Sequence, residues 1–198
     1  MKTDLVFIIQ PSKIKTFYFL LQQGIRMNGP VGISIQDFII NQLGIPLAEI
    51  DKKIQTVFLN GKVVDDLTSA FIADESLLAI SGALPGLVGA TMRRGGFYSS
   101  FRNAITIGHE AVDRSRENGT ITLKLFNILL PEFGPRLLAK GIWIQSFQLQ
   151  DFLRQNEAEL KEGCTVQQGD GPEVACPKLL MFSLKREENC LFIQVISR

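Results

Sequence analysis

Two short apolar runs, Leu5 to Gln10 and Ile121 to Phe126, are rich in β-branched and aromatic residues and read as strands. Pro11 and Pro131 close them. A short helical pattern follows each and ends at Gly24 or Gly141, where glycine can take the left-handed conformation that terminates a helix. A helix comes next in both cases. Ser34 caps the first, Asp37 reinforces the cap, and Gly44-Ile45-Pro46 ends it; the second runs from about Ser146 to Glu162 and stops at Gly163. Thr56 to Asn60 then turns through Asn60-Gly61 into Lys62-Val63-Val64, a tight hairpin, and Leu77 to Ile80 adds a strand. The later counterpart is Leu179 to Leu184, a polar turn at Arg186 to Asn189, and Leu191 to Ile196.

The parallel between the two series extends to residues. Leu20-Leu21-Gln22-Gln23-Gly24-Ile25 is answered by Leu137-Leu138-Ala139-Lys140-Gly141-Ile142. Ile35-Gln36-Asp37-Phe38-Ile39 is answered by Leu149-Gln150-Asp151-Phe152-Leu153, and Glu75-Ser76-Leu77-Leu78-Ala79-Ile80 by Glu188-Asn189-Cys190-Leu191-Phe192-Ile193. The blocks keep their order at nearly constant spacing, which is the pattern of an internal repeat. Between the halves, Phe97, Phe101, Ala104, Ile105, Gly108, Ala111 and Val112 recur at three- and four-residue steps. That spacing predicts an amphipathic connector helix with a buried stripe, ended by Asn118-Gly119; Arg102, Asn103, Thr106, Glu110, Asp113 and Arg114 take its polar face.

The least ordinary stretch is Ser81 to Gly96, which carries Gly82, Gly86, Gly89, Arg93, Arg94, Gly95 and Gly96. Three readings follow. The glycines permit close packing in an apolar crossover between the halves. Alternatively they expose backbone N–H groups to an anion, with Arg93 and Arg94 adding charge, although the spacing is neither that of a P-loop nor that of a dinucleotide fold. Or Arg93-Arg94-Gly95-Gly96 is a processed tail.

The third reading comes from a resemblance. Thr56 to Val64 with its Asn-Gly turn, the acidic turn Ala73-Asp74-Glu75-Ser76 leading into Leu77 to Ile80, and the diglycine at Gly95-Gly96 resemble the β-grasp group. The likeness is to ubiquitin relatives that carry sulfur in thiamin and molybdopterin synthesis, and it covers residues 1–96. It implies a β-grasp fold and a terminal glycine carboxylate that is adenylated before carrying sulfur or forming an amide. Here Gly96 is followed by a further half of chain, so that chemistry requires cleavage after Gly96. The family's Gly-Asp before the last strand is Asp74-Glu75 in this chain, and the second half has no diglycine. The expected architecture is therefore α+β, with two related β-grasp-like halves, 1–96 and 120–198, joined by an amphipathic helix over 97–119.

Composition narrows the function. The chain has 198 residues, enough to bury a core without metal or disulfide staples. Lys plus Arg number 21 against 20 Asp plus Glu, a net charge of +1 that excludes a globally basic nucleic-acid binder. No basic stripe interleaves with aromatics. No secretory signal is visible, and the uncharged Leu77 to Met92 is too short and too rich in breakers to span a bilayer, so no membrane is expected. Cys164, Cys176 and Cys190 form an odd set without CxxC spacing and read as reduced thiols of a cytoplasmic protein; no metal or cofactor is expected. His109 stands alone beside Glu110, Asp65-Asp66 reads as a solvated turn, and no nucleophile elbow is present.

The sequence thus points to a non-catalytic binding or adaptor protein. The candidate site is Gly82, Gly86, Gly89, Arg93, Arg94, Gly95, Gly96 and His109, facing a protein partner or a small anionic ligand. The alternatives are a sulfur-carrier or modifier precursor processed after Gly96, and an enzyme using Arg93, Arg94 and His109 on an anionic substrate.

Overall fold

The computed structural model describes residues 5–99, 102, 118–176 and 190–198, and these form a mixed α+β protein. Strand β1 (Leu5–Ile9) alternates buried Leu5, Phe7 and Ile9 with half-buried neighbours and ends before Pro11, which has no N–H to extend a ladder. A 3-10 turn at Pro11–Lys13 leads into α1 (Ile14–Gln23), stopped by Gly24 at φ +117°. Next come β2 (Ile25–Pro30) and α2 (Ile35–Asn41), whose cap Ser34 accepts the Asp37 N–H at 3.0 Å. After α3 (Leu47–Lys53) the hairpin β3 (Thr56–Leu59) and β4 (Lys62–Val63) turns through Asn60 and Gly61, both left-handed at φ +51° and +79°. Strand β5 (Leu77–Ser81) and α4 (Gly86–Met92) follow.

The later elements repeat this order. They are β6 (Asn118–Phe126), α5 (Leu129–Lys140), β7 (Ile142–Gln145), α6 (Ser146–Gln155), α7 (Glu157–Leu160), the pair β8 (Cys164–Gln168) and β9 (Glu173–Ala175), and β10 (Cys190–Ser197). Apart from α4, both series read β-α-β-α-α-β-β-β. Gly141, at φ +103°, closes α5 as Gly24 closes α1. A Cβ there would lie 2.2 Å from the Phe192 ring, so only glycine fits.

The chain packs as two compact units, residues 1–25 with 133–198, and residues 26–132. In the first, the strand order is β7-β10-β1-β8-β9, with β1 parallel to β10 and the remaining pairs antiparallel. Its core includes Phe7, Phe17 and Phe152, with ring centroids 5.4 and 5.0 Å apart along the row. In the second, the order is β4-β3-β5-β6-β2, with β5 parallel to β6 and β3 antiparallel to both β4 and β5. Here Phe38, Ile39, Val57, Ile80 and Leu123 are fully buried.

All ten strands belong to one sheet, and each unit's run of five takes one strand from the other end of the chain: β1 joins late strands, and β6 joins early ones. Each compact unit draws on both halves of the chain. The two five-strand runs also differ in order, since β5 stands next to its hairpin where β1 stands in the other. What recurs is element order and burial, with Leu20 and Leu137 both buried and Phe38 and Phe152 both buried.

Several expectations need correction. Asn118-Gly119, expected to end the connector helix, opens β6, where a Cβ on Gly119 would lie 2.6 Å from the Asp74 carboxylate that accepts the Thr120 N–H. Of the connector helix, Phe97–Ser99 are 3-10 in geometry and Phe97, placed on the buried stripe, is 88% exposed. Residues 100, 101 and 103–117 lie outside the described residues, as do 177–189 and the strand expected there. Pro131 sits inside the first turn of α5, where its missing N–H would be unpaired anyway, and so does not close β6. The long helix from Ser146 breaks at Asn156, which leaves helical geometry at φ −112° and ψ 18°.

Candidate functional site

In the unit of residues 26–132, four pieces of chain converge: the end of α3, the residues after β4, the Arg93–Gly96 stretch, and Arg102. The hairpin turn brings β4 back along β3, so that Asp65 follows its buried end at Val63-Val64. The carboxylate of Asp65 then accepts from Arg102 twice, Oδ2 from one terminal nitrogen at 2.9 Å and Oδ1 from the other at 2.6 Å. This is the two-pronged geometry that arginine forms and lysine cannot. The Arg102 side chain is only 3% exposed. It also donates to backbone oxygens, Nε to Thr91 at 2.6 Å and a terminal nitrogen to Arg93 at 3.1 Å.

The same carboxylate holds the diglycine. Gly95 donates its N–H to Asp65 Oδ1 at 3.1 Å, and its φ of +57° is the left-handed value that makes glycine the fitting residue. Gly96 donates to the Arg93 carbonyl at 3.1 Å, closing a tight turn. Arg94 is anchored separately: its N–H reaches the Gln55 carbonyl at 2.8 Å, and its guanidinium reaches Asp51 at 2.9 Å and the Ile54 carbonyl. Burial pushes the Asp65 carboxyl up. The Arg102 and Gly95 hydrogen bonds and the charges of Arg102 and Arg94 outweigh it and hold the group below the ordinary carboxylate range.

A polar cleft of about 320 Å³ opens here, lined by Asp51, Ile54, Gln55, Asp65, Arg93, Arg94 and Gly95. Of its two arginines, Arg94 is committed to protein partners, whereas the Arg93 side chain is exposed. A second polar cleft, of about 530 Å³, lies between Asn28-Gly29 and Asn118 to Thr120, with Asp74 on its wall.

The structure gathers Arg93, Arg94 and Gly95 at one cleft and gives Gly82 and Gly89 packing roles. Gly89 is buried, and a Cβ there would lie 1.8 Å from the Leu84 carbonyl oxygen, so α4 packs backbone to backbone on the loop before it. Gly82 is buried against Ile128, 2.6 Å from where its Cβ would be. Gly86 enters α4 at φ +71°. His109 lies outside the described residues. Close to the cleft's arginines in sequence, Leu87 and Val88 on α4 and Phe97 and Tyr98 beyond it are all exposed; the last two rings meet edge to face at 5.3 Å.

Sequence reasoning missed Asp65, Asp51 and Arg102. The adjacent Asp66 is the solvated turn residue that was expected, accepting from the Thr68 N–H and hydroxyl, which lower its carboxyl to about 2. Asp65 is the anchor, and Arg102, placed on a polar helix face by its spacing, is instead buried against it. Among the described residues no group of three or more His, Cys, Asp or Glu side chains is arranged to hold a metal, and no helix is long and apolar enough to cross a membrane. The chain matches no family model, no curated protein and no solved structure.

Proposed function

We propose that this protein is a non-catalytic binding module, and that residues 81–99 present its docking face to a protein partner. One observation carries the reading. Leu87, Val88, Phe97 and Tyr98 are half of the large apolar side chains left exposed among the described residues, and they fall within a dozen positions of one another. An exposed aromatic and aliphatic group flanked by arginine is the composition of an interface core. The hydrogen bonds of Asp65, Arg94 and Arg102 hold its flank in place, which lowers the entropy lost on docking. The partner surface that suits it is apolar with a carboxylate for Arg93.

The same contacts favour this reading over processing after Gly96. A protease and an activating enzyme need an extended, exposed tail, whereas Gly95 and Gly96 are folded into a turn and hydrogen-bonded to Asp65 and Arg93. We further propose that the halves are related by duplication, on the shared element order, the matched sequence blocks and the matched burial of Leu20 with Leu137 and Phe38 with Phe152. A β-grasp ancestry rests on the sequence resemblance alone, and a cytoplasmic setting on the free thiols.

A photo-crosslinking residue at Val88, introduced into the full chain in cells, tests the docking face. The expected result is an adduct with one discrete, different protein, lost when Phe97→Asp is added to a chain that still folds. Adducts with a second copy of this chain, or with no protein at all, would overturn it.

A further inference from the structure

Strands β8 and β9 pair antiparallel, with Thr165 opposite Ala175 and Val166 opposite Val174. Cys164 begins β8 and Cys176 directly follows β9, so extending the same register by one step would set the two opposite each other. Cross-strand partners have Cβ atoms about 4.5–5.5 Å apart, and a disulfide needs about 3.5–4.5 Å. A small approach of the two strands therefore suffices to join them. Both cysteines are buried, and both thiols are free. Hydrogen bonding with the Cys164 sulfur and burial raise the Cys176 thiol. Cys190, half-buried on β10, lies opposite Gln145 and away from this pair in the strand order.

We propose that Cys164 and Cys176 are a reversible redox pair, closing to an intramolecular disulfide by exchange with a small disulfide such as oxidised glutathione. One protein thiol, deprotonated, attacks a sulfur of the glutathione disulfide and releases one glutathione thiolate. The second protein thiolate then attacks the protein sulfur of the mixed disulfide and releases the other. The two protein thiols lose two electrons and two protons in total, and glutathione disulfide is reduced to two thiols. Access comes from the edge: β9 is three residues long, stands last in its sheet, and exposes Glu173 and Ala175. Edge elements of this kind open locally without unfolding the whole protein. Closure then pins β9 to β8 across the turn at Gly169 to Gly171, and a thiol reductant reverses it.

The test uses the full chain, incubated at neutral pH with millimolar oxidised glutathione, quenched with an alkylating reagent and digested with trypsin. Lys161 and Lys178 bound one peptide, residues 162–178, that holds both cysteines. The expected product is that peptide two hydrogens lighter and unalkylated, restored to two alkylated thiols by dithiothreitol, with the amides of 165–167 exchanging hydrogen more slowly in the oxidised protein. Cys176→Ser is expected to abolish the two-hydrogen loss. Two alkylated thiols in peptide 162–178, under conditions that bridge the urea-unfolded chain, would overturn the proposal. So would a bridge from either cysteine to Cys190, or a two-hydrogen loss that survives Cys176→Ser.

Discussion

Arg102 holds Asp65 through both terminal nitrogens of its guanidinium, and the same Asp65 oxygen that takes the shorter bond also takes the N–H of Gly95. One carboxylate thereby holds both the diglycine turn and the Arg102 guanidinium that also binds the Arg93 carbonyl before it. Replacing Arg102 by Ala leaves that carboxylate without its main partner and frees the Thr91 and Arg93 carbonyls as well. The expected loss is about 2 kcal/mol, below the roughly 3–5 of a fully buried pair because Asp65 keeps a third of its exposure. Urea unfolding measures it. Limited trypsin digestion adds a local readout: cleavage after Arg93 or Arg94 should accelerate in Arg102→Ala before global stability is exhausted. Lys at 102 should behave like Ala, since a single ammonium cannot bridge both oxygens.

Acid should remove the same anchor. The Asp65 carboxyl is lowered in the folded protein, so its stabilisation is complete above the ordinary aspartate value of about 3.9 and fades as pH falls through the lowered folded value. Asp65→Asn should therefore be less stable than the wild type near neutrality, with the two stabilities converging below about pH 4. A difference that stays constant across that range would show that the charge of Asp65 contributes nothing. Equilibrium urea titrations at stepped pH measure it.

The two matched phenylalanines offer a comparison between the halves. Phe38 in α2 and Phe152 in α6 are both fully buried, the first in the unit of residues 26–132 and the second against Phe17 in the other. Truncation to Ala at either position should cost about 3–5 kcal/mol in urea unfolding, the range for a large side chain removed from a close-packed interior. A loss below about 1 kcal/mol at one position and not the other would break the equivalence of their burial.

Local chemistry made much of the fold legible. The Ser34–Asp37 cap, the Asn60-Gly61 turn and the closures at Gly24 and Gly141 all appear where the residues place them, because each is set by two or three neighbours. The elements that escaped notice lack such signals. Strand β2 reads Ile-Arg-Met-Asn-Gly-Pro, with little apolar content and a terminal proline; β8 carries three polar residues in five; α4 has two glycines in seven. Pairing in a sheet and burial decide those segments, outweighing propensity. The placement of β1 among late strands and β6 among early ones is likewise invisible, since nothing in either strand names its neighbour. The candidate site divides the same way. Arg93, Arg94 and the diglycine stood out by composition, whereas Asp65 and Arg102 matter only through a contact spanning 37 positions, which no periodicity records.

The account turns on Gly95-Gly96 being a folded part of a docking face and not a tail. Weighing the protein intact after expression in cells tests this most directly. The full chain near 22.0 kDa, uncut, is the result the geometry predicts. A stable product ending at Gly96, or a thiocarboxylate on that fragment, would contradict it and make sulfur or modifier transfer the function of the first half.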